Sequence, residues 1–244
     1  MGTADRVGRF KFVAGCLCLD FVNTVGGRVS GGETVDGRDF ADTVLRDRLA
    51  TYGDLVRWAV AAGVIRESDA TAFERMAAAR PDEAAAVLRR ALRLRESLYR
   101  IFKAVIERWP APDGDLAVLN GALRRKAVRE RLVQEGAAFR LVADADPATP
   151  DRIVWAVVDS AVALLTSADR LSRVGQCPGD NCGWLFLDES RGRRRRWCDM
   201  AECGNLAKVR RHRARRRNAA GGLPGPVPST SGARRSTEGH PPDR

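Results

Sequence analysis

The hydrophobic and polar positions of this chain repeat mostly with a helical period. The clearest case starts at Pro81-Asp-Glu, where proline suits a first turn and the acids suit the positive end of a helix dipole. From there to about Trp109, the side chains of Leu88, Ala91, Leu92, Leu94, Leu98, Tyr99, Ile101, Phe102, Val105 and Ile106 fall in one arc when placed at helical intervals. Arg89, Arg90, Arg93, Glu96, Arg100, Lys103 and Glu107 lie opposite. Arg95 alone carries a charge inside the apolar arc. Pro110 and Pro112 should end the helix.

The remaining patterns are shorter. Leu45, Leu49, Tyr52, Leu55, Val56 and Trp58 predict a helix that stops at Gly63, after a loop marked by Gly26, Gly27, Gly31 and Gly32. Residues 116–132 carry a weaker amphipathic pattern, and Phe139-Arg-Leu-Val has strand character, with Pro147 and Pro150 as breakers. Residues 153–168 are apolar on nearly every face, which predicts a central core helix. The run FKFVAGCLCLDFVNTV over 10–25 fits a strand or a buried helix equally.

At 244 residues, 44% hydrophobic and 30% charged, the chain reads as globular rather than fibrous or wholly disordered. It contains no apolar run of spanning length and no basic leader before an apolar stretch, so the expectation is a cytoplasmic protein with no membrane partner. Its net charge of +11 is unevenly placed. Residues 1–172 hold 26 basic and 24 acidic groups, residues 173–217 hold 13 and 5, and residues 218–244 hold 3 and 2. The last segment has five prolines, five glycines and no aromatic residue, and is expected to be a disordered tail.

Four of the six cysteines lie in the basic segment. Four residues separate Cys177 from Cys182 and Cys198 from Cys203, with fifteen between the pairs. Two closely spaced thiolate pairs suit one tetrahedral zinc ion, and a fifteen-residue spacer fits a hairpin. Gly183 suits a tight turn, Trp184-Leu-Phe-Leu a short strand, Asp188 and Ser190 the turn after it, and Leu206 onward a helix. The expected order is knuckle, hairpin, helix, in a treble-clef-like arrangement. So small a module has little core, and one structural zinc ion would supply its folding free energy. The competing reading, four free core cysteines, fits a hydrophilic Arg-rich segment poorly. Four thiolates also leave no site for water, which argues against a catalytic metal. Cys16 and Cys18, in an apolar run, read as small core hydrophobes.

Two basic clusters surround these cysteines: Arg191 with Arg193, Arg194, Arg195 and Arg196, then Lys208, Arg210, Arg211, Arg213, Arg215, Arg216 and Arg217. A solvated charged face is the ordinary reading of such a run. On a metal-held scaffold the density points instead to phosphate contact, with double-stranded DNA as the partner. An RNA-binding or protein-binding zinc module is the alternative. Paired half-sites would multiply specificity, so a homodimer is one arrangement to consider, although no stretch marks an interface.

RRWCDMAECGN with the preceding CGWLFLDES resembles the CGNR zinc finger, and GCLCLDFVNTV with ALRLRESLYRIF is similar to the ABATE domain that commonly precedes it in bacterial transcription regulators. The resemblance covers nearly the whole chain except the tail. It implies zinc on Cys177, Cys182, Cys198 and Cys203, a mainly helical N-terminal domain, DNA binding by the finger and a role in stress-responsive regulation. One position departs from the motif, which would place arginine after Asn205 where this chain has Leu206.

For the N-terminal domain, Arg95 is the sharpest clue, because a buried guanidinium is costly unless paired. An ion pair with Asp20 or Asp159 would satisfy it; the alternative is a small anionic ligand held by Arg95 with Asn23 and Thr24. No phosphate loop or hydrolase motif stands out, and the two histidines lie in the basic run and the tail, so an enzyme is not expected. Acid/base chemistry at Asp20 or Glu96 is the form an enzyme reading would take. The resulting expectation is a mainly α protein: a helical domain over 1–172, a zinc module over 173–217 and a tail over 218–244.

Overall fold

A computed structural model describes residues 10–29, 34–35, 38–39, 43–143 and 149–220. The expectations that fall on Gly31, Gly32, Pro147 and the tail beyond residue 220 lie outside the described residues. The N-terminal part is helical, as its periodicity predicts. Helices α1 (Leu17–Val22), α2 (Tyr52–Ala61), α3 (Glu67–Ala79), α4 (Pro81–Glu107), α5 (Asp113–Ala127), α6 (Arg152–Leu165) and α7 (Ala168–Leu171) surround one apolar core. Two-residue strands β1 (Arg28–Val29) with β4 (Thr43–Val44), and β2 (Thr34–Val35) with β3 (Arg38–Asp39), form small antiparallel pairs between α1 and α2. No described helix is long and apolar enough to cross a membrane.

Helix α4 is the spine, contacting α1, α2, α3 and α5. Val87, Ala91, Leu94, Leu98, Tyr99, Ile101 and Phe102 are buried along it, as the apolar arc predicts. Its end is set by Arg108, which adopts a left-handed conformation (φ 58°), before either proline is reached. Lys103 departs from the pattern: it belongs to the polar side by spacing but is buried, because a further strand, β7 (Val174–Gln176), lies against α4.

Helix α2 begins at Tyr52 rather than near Leu45. Thr51 and Asp54 form a reciprocal capping box there, while residues 43–44 are drawn into strand pairing with β1 and Asp47 into a bridge with Val25. Gly63 (φ 69°) follows the end of α2 in the left-handed conformation expected of it. Of the ambiguous run over 10–25, Leu17–Val22 form the short helix α1, and the residues on either side of it are irregular apart from a bridge at Val25. Helix α3 had no sequence forecast; its few buried apolar positions, Phe73 and Met76, make a faint periodic signal. Helix α5 stops at Ala127, and the strand β5 (Glu130–Glu135) pairs with β6 (Ala138–Ala143) around Gly136 (φ 63°), so the amphipathic pattern to residue 132 overran the helix. Helix α6 buries Ile153, Val154, Trp155, Val157, Val158, Ala161 and Leu164, with Asp159, Ala163 and Thr166 at the surface.

Strand β7 pairs antiparallel with β8 (Leu185–Leu187), and the first cysteine pair sits in the loop between them. The hairpin therefore spans the first knuckle and not the spacer between the pairs, which contains β8 alone. Leu185 and Leu187 join the main apolar core, while Trp184 and Phe186 pack with Val25, Cys177 and Cys198 in a second cluster. A π-helical turn (Met200–Gly204) carries Cys203, and α8 (Asn205–Ala220) follows it. Described residues up to Asn205 form one compact body and the rest of α8 a second. The last helix extends three residues beyond the expected start of the tail.

Candidate metal centre and basic surface

The local sequence folds the four cysteines toward one point. In the loop after β7, the Cys182 amide donates to the Gly179 carbonyl at 3.0 Å, and the Cys177 amide to the Trp184 carbonyl at 2.8 Å, closing a tight knuckle. Gly183 (φ 59°) supplies the reversal that its position suggested. Gly179 also sits tightly against the cluster: a β-carbon there would lie 3.2 Å from the Cys203 sulfur and 3.5 Å from that of Cys177. On the other side, Asp199 caps the π-turn by accepting from the Ala201 amide at 2.8 Å, which presents Cys203.

All four sulfurs lie within 4.8 Å of one another. Cys198 Sγ is 3.5 Å from Cys182 Sγ and 3.7 Å from Cys203 Sγ. Four thiolates bound tetrahedrally at about 2.3 Å from zinc stand roughly 3.8 Å apart, so the cluster has the dimensions of one zinc site. Hydrogen bonds from Cys182 and Cys198 hold the Cys177 thiol well below the usual thiol range, while the contact with Cys177 pushes Cys182 above it. Cys198 is raised by Cys177 and Cys182, and Cys203 by burial. Four neighbouring anions repel each other, and a divalent cation is what allows all four to ionise together. Cys177, Cys182, Cys198 and Cys203 form a metal-binding site suited to one structural zinc ion, with no position left for water.

This site is fastened to the helical core. Asn23, at the end of α1, donates from Nδ2 to the Leu185 carbonyl at 2.8 Å and accepts from the Leu185 amide at 3.0 Å. The Leu187 amide donates to the Ala14 carbonyl at 2.7 Å, and the Trp184 indole N–H to the Val25 carbonyl at 3.0 Å. Gln176 donates to the Tyr99 hydroxyl at 2.8 Å, and the Arg28 amide to the Cys182 carbonyl at 3.1 Å. The chain at Gly27 runs so close that a β-carbon there would lie 1.9 Å from the Asn181 carbonyl oxygen.

The first basic cluster divides. Arg191, Arg193, Arg194 and Arg196 are exposed. Arg193 reaches Asp169 at 3.1 Å. Arg195 turns inward: its guanidinium donates to the carbonyls of Leu187 (3.1 Å), Trp197 (3.1 Å), Cys198 (2.6 Å) and Val13, and lies 4.7 Å from the centre of the Phe186 ring. The Arg195 amide donates to Asp188 Oδ2 at 2.9 Å, and the Ser190 amide and hydroxyl to Asp188 Oδ1. Burial of that carboxyl opposes ionisation, but the Ser190 and Arg195 hydrogen bonds hold it below the usual carboxylate range. Arg195, expected among the phosphate-contacting cations, is a clamp between the metal site and the N-terminal segment at Val13. In the second cluster, Lys208, Arg210, Arg211 and Arg213 are exposed along α8, which presents no acidic residue and no apolar face. Leu206, which replaces the motif arginine, is 57% exposed.

Arg95 is buried and paired, but with neither of the anticipated acids. Its Nη1 and Nη2 donate to Asp47 at 2.8 and 2.7 Å, its Nε to Glu96 at 2.8 Å and its Nη1 also to the Thr24 hydroxyl at 3.3 Å. Glu96 accepts in turn from the buried Arg28 at 2.7 and 3.2 Å, and the Arg28 guanidinium sits 3.8 Å from the centre of the Tyr99 ring. Asp20 instead accepts from the Ala14 amide at 2.9 Å, and Asp159 pairs with Lys126 at 2.9 Å. The three residues expected to hold an anionic ligand all make bonds within the fold: Arg95 with carboxylates, Asn23 with Leu185, and the Thr24 hydroxyl, which donates to the Phe21 carbonyl at 2.7 Å. Their polar groups hold the fold. Asp47 and Arg28 had no sequence signal, since Arg28 lies in a two-residue strand and Asp47 in an isolated bridge, each too short for a period to show.

Comparison with known proteins agrees with these features. The profile of the ABATE family, described as "Putative stress-induced transcription regulator", matches residues 15–168, and that of the CGNR zinc finger matches residues 173–216. No curated protein matches the chain.

Proposed function

Because the chain belongs to the ABATE family of stress-induced transcription regulators and carries a CGNR zinc finger, we propose that it binds double-stranded DNA through the exposed cations of that finger. One observation carries the reading: the positive charge is concentrated on a metal-held element and is turned outward. Arg193, Arg194 and Arg196 precede the ligand Cys198, and α8 follows the ligand Cys203 with seven cations and no acid between residues 205 and 220. Cations fixed at such density displace condensed counterions from a phosphate backbone and give affinity with little sequence preference. An arginine-bearing helix also has the width to enter a major groove and reach guanine edges. Lys208, Arg210, Arg211 and Arg213 are the residues assigned to DNA on α8. Zinc, when bound by the four cysteines, serves as a cross-link and takes no part in chemistry.

The test is a fluorescence-anisotropy titration of the zinc-loaded protein with a duplex over a range of salt concentrations. Each lost phosphate contact lowers the slope of log affinity against log salt by about 0.9. Arg210→Ala with Arg211→Ala and Arg213→Ala should lower the slope by about 2–3. An unchanged slope removes α8 from the interface, and stronger competition by single-stranded RNA or an acidic protein replaces the DNA assignment.

A further inference from the structure

Outside the metal site, the described residues contain a second pair of adjacent thiols. Cys16 is the N-cap residue of α1 and Cys18 lies two residues on, in its first turn, with their sulfurs 3.6 Å apart. Cys18 is fully buried, whereas Cys16 is partly exposed. Ser160, from α6, completes the group: its hydroxyl oxygen accepts from the Cys18 amide at 3.0 Å and lies 3.3 Å from Cys16 Sγ. The Ser160 hydroxyl is thus within hydrogen-bond distance of the Cys16 sulfur as well as of the Cys18 amide.

We propose that Cys16 and Cys18 form a peroxide-reactive dithiol that closes to an intramolecular disulfide. The Cys16 thiolate attacks one oxygen of hydrogen peroxide, which breaks the O–O bond, gives Cys16 sulfenic acid and releases hydroxide. The Cys18 sulfur then attacks the Cys16 sulfur, forming the S–S bond; the S–O bond breaks and, with the Cys18 proton, leaves as water. Two thiols are oxidised by two electrons and one peroxide is reduced to water and hydroxide.

The partition of roles follows from the environment. Hydrogen bonds from Cys18 and Ser160, with help from Arg170, outweigh burial and lower the Cys16 thiol to about 5, while burial keeps Cys18 well above the usual thiol range. Asp20 is the acidic group nearby; burial raises it to about 6, and it is engaged by the Ala14 amide. Cys16 is thus the accessible nucleophile, and Cys18 the resolving thiol, protected until the sulfenic acid forms. The sulfurs, 3.6 Å apart, must approach to a bond length of about 2.05 Å for the disulfide to close.

The chain is cut by trypsin after Lys11 and Arg28, so the peptide 12–28 contains both residues and none of the metal ligands. Zinc-loaded protein is treated with a few equivalents of peroxide, alkylated with N-ethylmaleimide and digested. The expected product is an unalkylated 12–28 peptide about 2 Da lighter than the dithiol, which dithiothreitol converts to the doubly alkylated form. It should appear at lower peroxide than any change in the peptides bearing Cys177 to Cys203. Cys16→Ser should abolish it, and Cys18→Ala should leave a dimedone-trapped sulfenic acid on Cys16. A 12–28 peptide that stays doubly alkylated while the metal ligands oxidise, or a sulfenic acid that persists in the unaltered chain, overturns the proposal.

Discussion

Asn23 and Leu185 exchange a pair of hydrogen bonds, at 2.8 and 3.0 Å, across 162 residues of sequence. The side chain of one mimics the edge of a strand for the other, so β8 is satisfied on one side by β7 and on the other by α1. Asn23→Ala removes both bonds and leaves the Leu185 amide buried without a partner. The expected loss is about 1–3 kcal/mol in urea unfolding of the zinc-loaded protein. Asn23→Asp should behave nearly as badly, since a carboxylate cannot donate to the Leu185 carbonyl.

The buried Arg95 network makes stability depend on acid. Burial opposes ionisation of Asp47, but the Arg95 guanidinium holds its carboxyl below the usual range, and Arg28 and Arg95 do the same for Glu96. Carboxyls depressed in the folded state stabilise it above their unfolded value of about 4, and that stability is lost as pH falls through the folded values. Denaturation midpoints followed from pH 7 downward should therefore fall below about pH 4, and the fall should be shallower in Asp47→Asn. Parallel pH profiles of the two proteins would exclude this role for the pair.

Two neighbouring arginines should respond oppositely to removal. Arg195→Ala strips donors from four carbonyls around the metal site and is expected to cost about 2–4 kcal/mol of stability. Arg196→Ala, at an exposed position, should leave stability within about 0.5 kcal/mol and lower the salt slope of duplex binding by about 0.9. Thermal melts and anisotropy on the two variants separate clamp from contact.

Removing the metal should expose the dependence of the 177–203 segment on it. Chelation leaves four thiols where four thiolates were balanced, and Trp184 and Trp197, packed in the cluster with Cys177 and Cys198, should show a shifted fluorescence maximum. Helical circular dichroism from α2 to α6 should largely persist, because the main core draws on those helices. Cys203→Ser should bind zinc more weakly and give the same spectral change at lower chelator. An unchanged tryptophan spectrum in metal-free protein would mean that the segment holds its shape without the ion.

Much of this protein is written locally. The 3.6-residue period placed the core face of α4 and the buried helix α6, because a helix must turn its apolar stripe inward whatever surrounds it. The paired cysteines announced their metal site, since two short loops confine each pair before any tertiary contact forms. Other features depended on which segments meet. Asp47, rather than Asp20 or Asp159, pairs with Arg95 because strand pairing of residues 43–44 carries it there. Residues 130–132 leave the helical pattern because β6 offers them partners. Lys103 is buried because β7 covers its side of α4, and Arg195 points inward while Arg194 and Arg196 do not. A residue's type and spacing give its preference for water or for a charge; only the folded chain decides whether a carbonyl or carboxylate from a distant segment arrives to satisfy it.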